Sequence, residues 1–252
     1  MSPVHHESAF GDAIVAAMLR NGWELGNAAD YRPELGLDTR QLFTFIGATQ
    51  AAEWEELVTF YGGDRDAAQI GFAKRLDQAI TNDGVLDVLR KGVKDHGVRI
   101  RLAYFKPSLV QSDAILDDYR KNRLTVVREL EYATKQADRG NRLDLTLFLN
   151  GIPVATAELK NPLTGQGVED AKEQYRTHRD PHELIFARRV VANFAVDPDL
   201  VFVTTELRGK ATRFLPFNTG SEGPGRPGGA GNPPPTEPGK YATSYLWEEV
   251  WQ

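Results

Sequence analysis

Residues 141–162, NRLDLTLFLNGIPVATAELKNP, constrain the fold of this chain more than any other stretch. Leu143, Leu145, Leu147 and Leu149 alternate with Asp144, Thr146 and Phe148, the period of two that marks a strand with two distinct faces. Asn150-Gly151 follows, and both residue types tolerate positive φ, so the pair reads as a hairpin turn. The return run alternates as well, with Val154, Thr156, Glu158 and Lys160 on one face and Ala155, Ala157 and Leu159 on the other.

Register sets a condition on any joint use of Asp144 and Glu158. A plain two-residue loop pairs Leu149 with Ile152 and therefore Asp144 with Ala157. Directly opposed residues share a face, so the two carboxylates would then point to opposite sides. A three-residue loop or a single bulge between them restores a common face, and Pro153, which has no N–H to give the ladder, is a natural place for a break.

Two carboxylates on one face of a hairpin suit a hard cation such as Mg²⁺ or Mn²⁺, which takes oxygen ligands. Such an ion polarises a phosphate and lowers the pKa of an attacking water. A lysine beside them, Lys160, supplies a compact positive charge for the negative charge that develops. As an isolated pattern, Asp and Glu-x-Lys separated by thirteen residues is weak. The plain alternative is a pair of strand ends with solvated charges.

Composition narrows the classes. The chain has 252 residues and no cysteine, which excludes disulfides, cysteine-ligated zinc and thiol catalysis. It has no apolar run long enough for a membrane span and no secretory leader pattern in MSPVHHESAF, so a cytoplasmic protein without a membrane partner is expected. Residues 1–100 carry fifteen acidic against ten basic side chains, which equals the whole net charge of −5. Residues 120–142 reverse the balance, with seven basic side chains against three acidic. Arg123, Arg128 and Arg142 in this strip are candidate phosphate contacts; a solvated, partly paired surface is the alternative. His178 and His182 are four apart, but Asp180-Pro181 between them ends a helix, so they read as surface histidines. Gly209-Lys210-Ala211 lacks the Ser or Thr of a phosphate-binding loop, so no ATP hydrolysis is expected of this chain.

Along the chain, helices are expected over Glu7–Gly22, over most of Asp38–Asn82 with a break at Gly62-Gly63, and over Asp83–Gly97. Strands are expected at Val98–Phe105, Leu124–Tyr132, the hairpin, and around Leu184–Phe186, Val190–Val196 and Leu200–Thr205, with helices at Asp113–Asn122 and Val168–His178. This order suits a mixed sheet flanked by helices, an α/β architecture with a mainly helical N-terminal part. Residues 221–240, with six glycines and six prolines, cannot build a core and read as a linker or exposed loop. Tyr245, Leu246, Trp247, Val250 and Trp251 form an apolar end with no evident partner.

The blocks NRLTVVRELEY, NRLDLTLFLNGIPVATAELKNPLTGQ and NFAVDPDLVFVTTELRGKATRFLPFNTG, with the opening AFGDAIVAAMLRNGWELG and the late YATSYLWEEVW, resemble the N-terminal nuclease region of type I restriction endonuclease R (motor) subunits. The resemblance implies a PD-(D/E)xK nuclease fold, with Asp144, Glu158 and Lys160 as catalytic positions. It implies a metal held by Asp144, Glu158 and the Leu159 carbonyl. It also implies a further acid from the first helix; Phe10-Gly11 stands where Phe-Glu is expected, leaving Glu7 or Asp12, with Glu7 preferred. The family's Q-x-x-x-Y motif is matched at Tyr175, while its glutamine position is Ala171 and Gln174 is the nearest substitute. Tyr175 and Gln174 are thus expected to position DNA.

The resemblance further implies an endonuclease domain over residues 1–220, divided into a helical part, 1–97, and a catalytic α/β core, 98–220. Residues 241–252 would begin a motor domain that uses ATP. Double-stranded DNA and the methyltransferase and specificity subunits are the implied partners. A docking module that links the motor to the methyltransferase subunits, with a silent nuclease site, is the alternative.

Overall fold

Phe10, Ile14 and Met18 have no exposed surface, and their i, i+4 spacing gives one apolar stripe. That stripe lays helix α1 (Pro3–Arg20) against the central sheet. The computed structural model describes residues 3–107, 113–135 and 139–252, with side chains from Ala9 onward except at 114 and 164. Gly22, at φ +92°, turns the chain into β1 (Glu24–Leu25), a strand too short to leave a periodic signal. A small ladder, β2 (Tyr31–Arg32) with β3 (Leu37–Asp38), leads to the helical part.

Four helices follow, α2 (Thr39–Thr49), α3 (Ala51–Phe60), α4 (Arg65–Asp83) and α5 (Val85–Lys91). Asp38 caps α2 by accepting the Gln41 N–H at 3.0 Å, and Asp64 caps α4, as short polar side chains do at helix starts. The helix expected over Asp83–Gly97 ends early. Gly92 (φ +70°) passes so close to Ile100 that a Cβ there would sit 2.4 Å from its carbonyl oxygen. The chain instead forms a hairpin, β4 (Val93–Asp95) with β5 (Val98–Ile100), apart from the main sheet. The strand expected to reach Phe105 therefore stops at Ile100. Helix α6 (Asp113–Arg120) precedes the sheet proper.

The remaining strands are β6 (Leu124–Glu131), β7 (Arg142–Leu149), β8 (Ile152–Leu159), β9 (Ala192–Val196), β10 (Val201–Thr204) and β11 (Leu215–Pro216), with helix α7 (Val168–Thr177) between β8 and β9. They form a seven-stranded sheet in the order β1-β6-β7-β8-β9-β10-β11. β1 runs parallel to β6 and β8 parallel to β9, while the other pairs are antiparallel. This is the mixed α/β sheet flanked by helices that the sequence pattern implied. The strand expected at Leu184–Phe186 is absent. That stretch belongs to a π-helical turn, Ile185–Arg189, whose Ile185 and Phe186 pack under the sheet.

Each face of the sheet has its own cover. Leu145, Leu147, Ala155, Ala157 and Leu159 meet α1 on one face. Phe148 and Val127 meet Tyr175 of α7 and Phe186 on the other. The helical part packs at the turn end of the β7–β8 hairpin, where Ile152 joins its core. Residues 221–240 form turns and bends and are largely exposed. The apolar end does have a partner, contrary to expectation: Leu246, Trp247 and Trp251 are buried on the α1 face. Trp247 stands edge-on to Phe10 with ring centroids 6.0 Å apart. No helix among the described residues is long and apolar enough to cross a membrane.

Candidate metal centre

The β7–β8 hairpin combines a two-residue turn with a bulge. Leu149 pairs with Ile152 and Phe148 with Pro153, but Leu147 pairs with Ala155, so the register slips by one residue at Val154. Thr146 then faces Thr156 and Leu145 faces Ala157. Continuing that register sets Asp144 opposite Glu158, on a common face. The bulge that the sequence reading required is present, and it sits at Pro153-Val154.

The turn itself is anchored. Asn150 (φ +52°) is fully buried; its amide donates to the Leu102 carbonyl and to Asn122 Oδ1, both at 2.9 Å, and its Oδ1 accepts the Arg123 N–H at 2.7 Å. Gly151 lies against the start of α2, with its carbonyl accepting the Asp38 N–H at 2.8 Å.

The two carboxylates are held from different directions. Asp144 Oδ2 accepts the Leu159 N–H at 2.7 Å. Glu158 is completely buried, and its Oε1 accepts Nε–H of Arg179 at 2.7 Å. Its second oxygen, Oε2, is buried with no hydrogen-bond partner. Burial pushes the Glu158 carboxyl up to about 8, and the nearby charge of Asp144 pushes the same way; Arg179 and then Lys160 oppose them. Lys160 follows β8, its N–H donating to the Val196 carbonyl at 2.9 Å. Asp144, Glu158 and Lys160 are thus brought together.

This donor set fits a hard divalent cation. Two carboxylates share one face, one of them with an orphaned buried oxygen, and the Leu159 backbone lies between Glu158 and Lys160. Among the described residues no three His, Cys, Asp or Glu side chains gather around one point. Hard ions commonly complete such partial shells with water or substrate phosphate. Glu129 lies between the paired Arg128 and Leu130 in the row of Asp144, yet its φ of +50° interrupts the ladder there. The Glu7 side chain lies outside the described residues. Asp12 pairs with Arg128, and a Cβ on Gly11 would meet Arg128 at 3.4 Å and Leu159 at 3.5 Å.

The expected DNA contacts are placed unevenly. Tyr175 has no exposed surface. Its hydroxyl shares a hydrogen bond of 2.8 Å with Thr156 Oγ1, which donates to Asn193 Oδ1 at 2.7 Å. A side chain so enclosed cannot touch DNA, so Tyr175 is a core residue, and Ala171 beside it is core too. Gln174, on the next position round α7, is half-buried. Arg142 is exposed at the start of β7. Arg123 pairs with Glu24 at 2.6 Å and bonds Gln41. It adjoins the turn end of the hairpin, five residues along β7 from Asp144, or roughly 16 Å at strand spacing. Arg128 lies opposite Leu145, on the α1 face rather than with the carboxylates. The basic strip is largely paired, because Arg120 and Lys121 also meet Asp117 and Asp118. Such exposed pairs are worth at most about 1 kcal/mol, so a phosphate can replace the carboxylate at little cost.

Sequence reading missed Arg179. Asp197 accepts the Val168 N–H at 2.8 Å to start α7, and Asp180-Pro181 ends the helical run. The residue between helix and proline turns inward and lies 5% exposed. A lone arginine after a helix carries no motif, and it stands 21 positions from its partner. His178 and His182 do not form a metal pair, since α7 stops at Thr177 and His182 bonds Asp180 in solvent.

The family model described as type I restriction enzyme R protein N terminus matches residues 13–214. Neither the curated proteins nor the solved structures contain a match to this chain.

Proposed function

Because the chain belongs to the family of type I restriction enzyme R protein N termini, we propose that it is the Mg²⁺-dependent endonuclease domain of such an R subunit. It hydrolyses DNA phosphodiester bonds without reading sequence itself. One observation carries the reading: the bulge at Val154 shifts the register so that its continuation sets Asp144 and Glu158 on one face, with Lys160 just past the end of β8. Asp144 and Glu158 would hold the ion, with the Leu159 carbonyl as a third oxygen. When bound, the ion supplies Lewis-acid polarisation of the phosphate and a more acidic water. Asp144 is kept in place by the Leu159 N–H. Lys160 offsets the charge that builds on the phosphate in the transition state. Phosphate contacts of the kind Arg142 and Arg123 offer position DNA without specifying its sequence. Recognition then falls to a specificity subunit, beside methyltransferase subunits, and ATP-driven translocation to other domains.

The test is cleavage of plasmid DNA by the assembled restriction complex with Mg²⁺ or Mn²⁺. Asp144→Ala and Lys160→Ala should each lower the rate about a hundredfold or more, with assembly intact. Undiminished cleavage by Asp144→Ala would sink the reading.

The buried Glu158–Arg179 contact favours a second reading. A carboxyl group already bonded by a guanidinium suits a silent module that docks the motor to the methyltransferase subunits. On that reading neither substitution changes cleavage, while disruption of the domain abolishes assembly.

A further inference from the structure

Arg179 bridges three parts of the site. Its Nε–H donates to Glu158 Oε1 at 2.7 Å, its Nη2 to the Arg142 carbonyl at 2.7 Å, and its Nη1 to the His178 carbonyl at 3.1 Å. Arg142 opens β7 two residues before Asp144, and His178 caps α7. The guanidinium plane therefore ties the strand that carries Asp144, the strand that carries Glu158, and the end of the covering helix. Tyr132 closes the outer side, its ring centroid 5.9 Å from the guanidinium carbon. A rigid five-donor fork can do this; a lysine ammonium, a point charge on a flexible stem, cannot span the same acceptors. The bond to Oε1 leaves Oε2 as the Glu158 oxygen without a hydrogen-bond partner.

We infer that Arg179 is a positioning residue of the metal centre, which holds Glu158 in the rotamer that offers Oε2 to the cation and fixes it relative to Asp144. The inference rests on the nuclease reading above. Groups that orient ligands in this way commonly contribute ten- to a hundredfold to metal affinity. Removing the guanidinium also removes a charge that repels the metal, and the proposal holds that the lost orientation of Glu158 outweighs that gain.

Mn²⁺ binding is measured by calorimetry on the full chain with a short DNA duplex present, for the unaltered protein, Arg179→Met, Arg179→Lys and Asp144→Ala. Cleavage by the assembled complex is followed as a function of Mn²⁺ concentration. Positioning predicts that both Arg179 variants bind Mn²⁺ about tenfold or more weakly. The Mn²⁺ concentration for half-maximal cleavage should rise by the same factor, with the KM for DNA unchanged. A merely structural role would lower the active fraction equally at every Mn²⁺ concentration and leave the half-maximal point in place, which overturns the inference. Unchanged or tighter Mn²⁺ binding in the variants overturns it as well. Should Arg179→Met fail to fold, Arg179→Lys, which keeps the buried charge, carries the comparison alone. Should the unaltered protein bind no more Mn²⁺ than Asp144→Ala, the nuclease reading itself fails and takes the inference with it.

Discussion

The indole N–H of Trp23 donates to the backbone carbonyl of Trp251 at 2.6 Å, across 228 positions of the chain. That bond joins the segment after α1 to the last turn of the described structure, on the sheet face opposite the carboxylates. Trp247 lies beside it, 2% exposed, edge-on to Phe10 and to Tyr241. The C-terminal apolar residues are thus part of the same core that positions α1 over β8.

Trp247→Ala should lower stability by about 3–5 kcal/mol, the usual cost of emptying a large buried aromatic site. Urea unfolding of the variant against the parent checks this. A change under about 1 kcal/mol would mean that the segment does not pack on α1.

Tyr175→Phe removes the hydroxyl that bonds Thr156 while keeping the ring among Phe186 and Phe214. The variant should lose about 1–2 kcal/mol, because Thr156 loses a buried partner. DNA affinity at fixed salt should stay within a factor of two or so, since an enclosed hydroxyl has no phosphate to meet. A large drop in affinity with unchanged stability would restore Tyr175 as a DNA contact.

Gly151→Ala should be among the most damaging single changes in the hairpin. Its φ is +81°, and a Cβ would come within 2.2 Å of the Asp38 carbonyl oxygen and 2.7 Å of the Leu42 nitrogen. Backbone atoms cannot move aside as a flexible side chain can, so a loss of about 3 kcal/mol or more is expected. Chemical unfolding measures it, and retention of parental stability would place the turn elsewhere than against α2.

Glu158 links metal-free stability to pH. Its folded-state carboxyl lies near 8 against an ordinary value of 4.5, so between those values the folded chain holds a proton that the unfolded chain has lost. Stability from this group is therefore greatest below the ordinary value and falls as pH rises through the folded value. Asp38, raised chiefly by burial, adds a slope of the same sign. Melting temperatures from about pH 5 to about pH 9 in chelator should decline, and Glu158→Gln should flatten the decline. An equal slope in both proteins would show that Glu158 titrates at its ordinary value in the fold.

Much of this was written locally in the chain. Alternation in 143–149 and 152–159, the turn preference of Asn150-Gly151 and the apolar spacing of Phe10, Ile14 and Met18 are properties of neighbouring residues, so they are visible without a fold. Even the bulge was deducible, because a period of two makes Asp144 and Glu158 share a face only if one residue is inserted between them. The pairing of β1 with β6, the short β4–β5 hairpin and the turn at Ile185–Arg189 had no such local sign. Two- and three-residue strands are too short for a period, and an apolar run such as Leu184–Phe186 serves a strand or a helical turn equally well. Burial was decided by tertiary packing alone. Tyr175 and Arg179 look alike in sequence, polar residues on or just past an amphipathic helix. The crossover from β8 to β9 lays α7 across the sheet, and that encloses the tyrosine hydroxyl against Thr156 and brings the arginine onto Glu158. The sequence by itself determined which carboxylates can share one face of the hairpin. How those groups are held was decided by contacts between positions far apart in the chain, which no local pattern records.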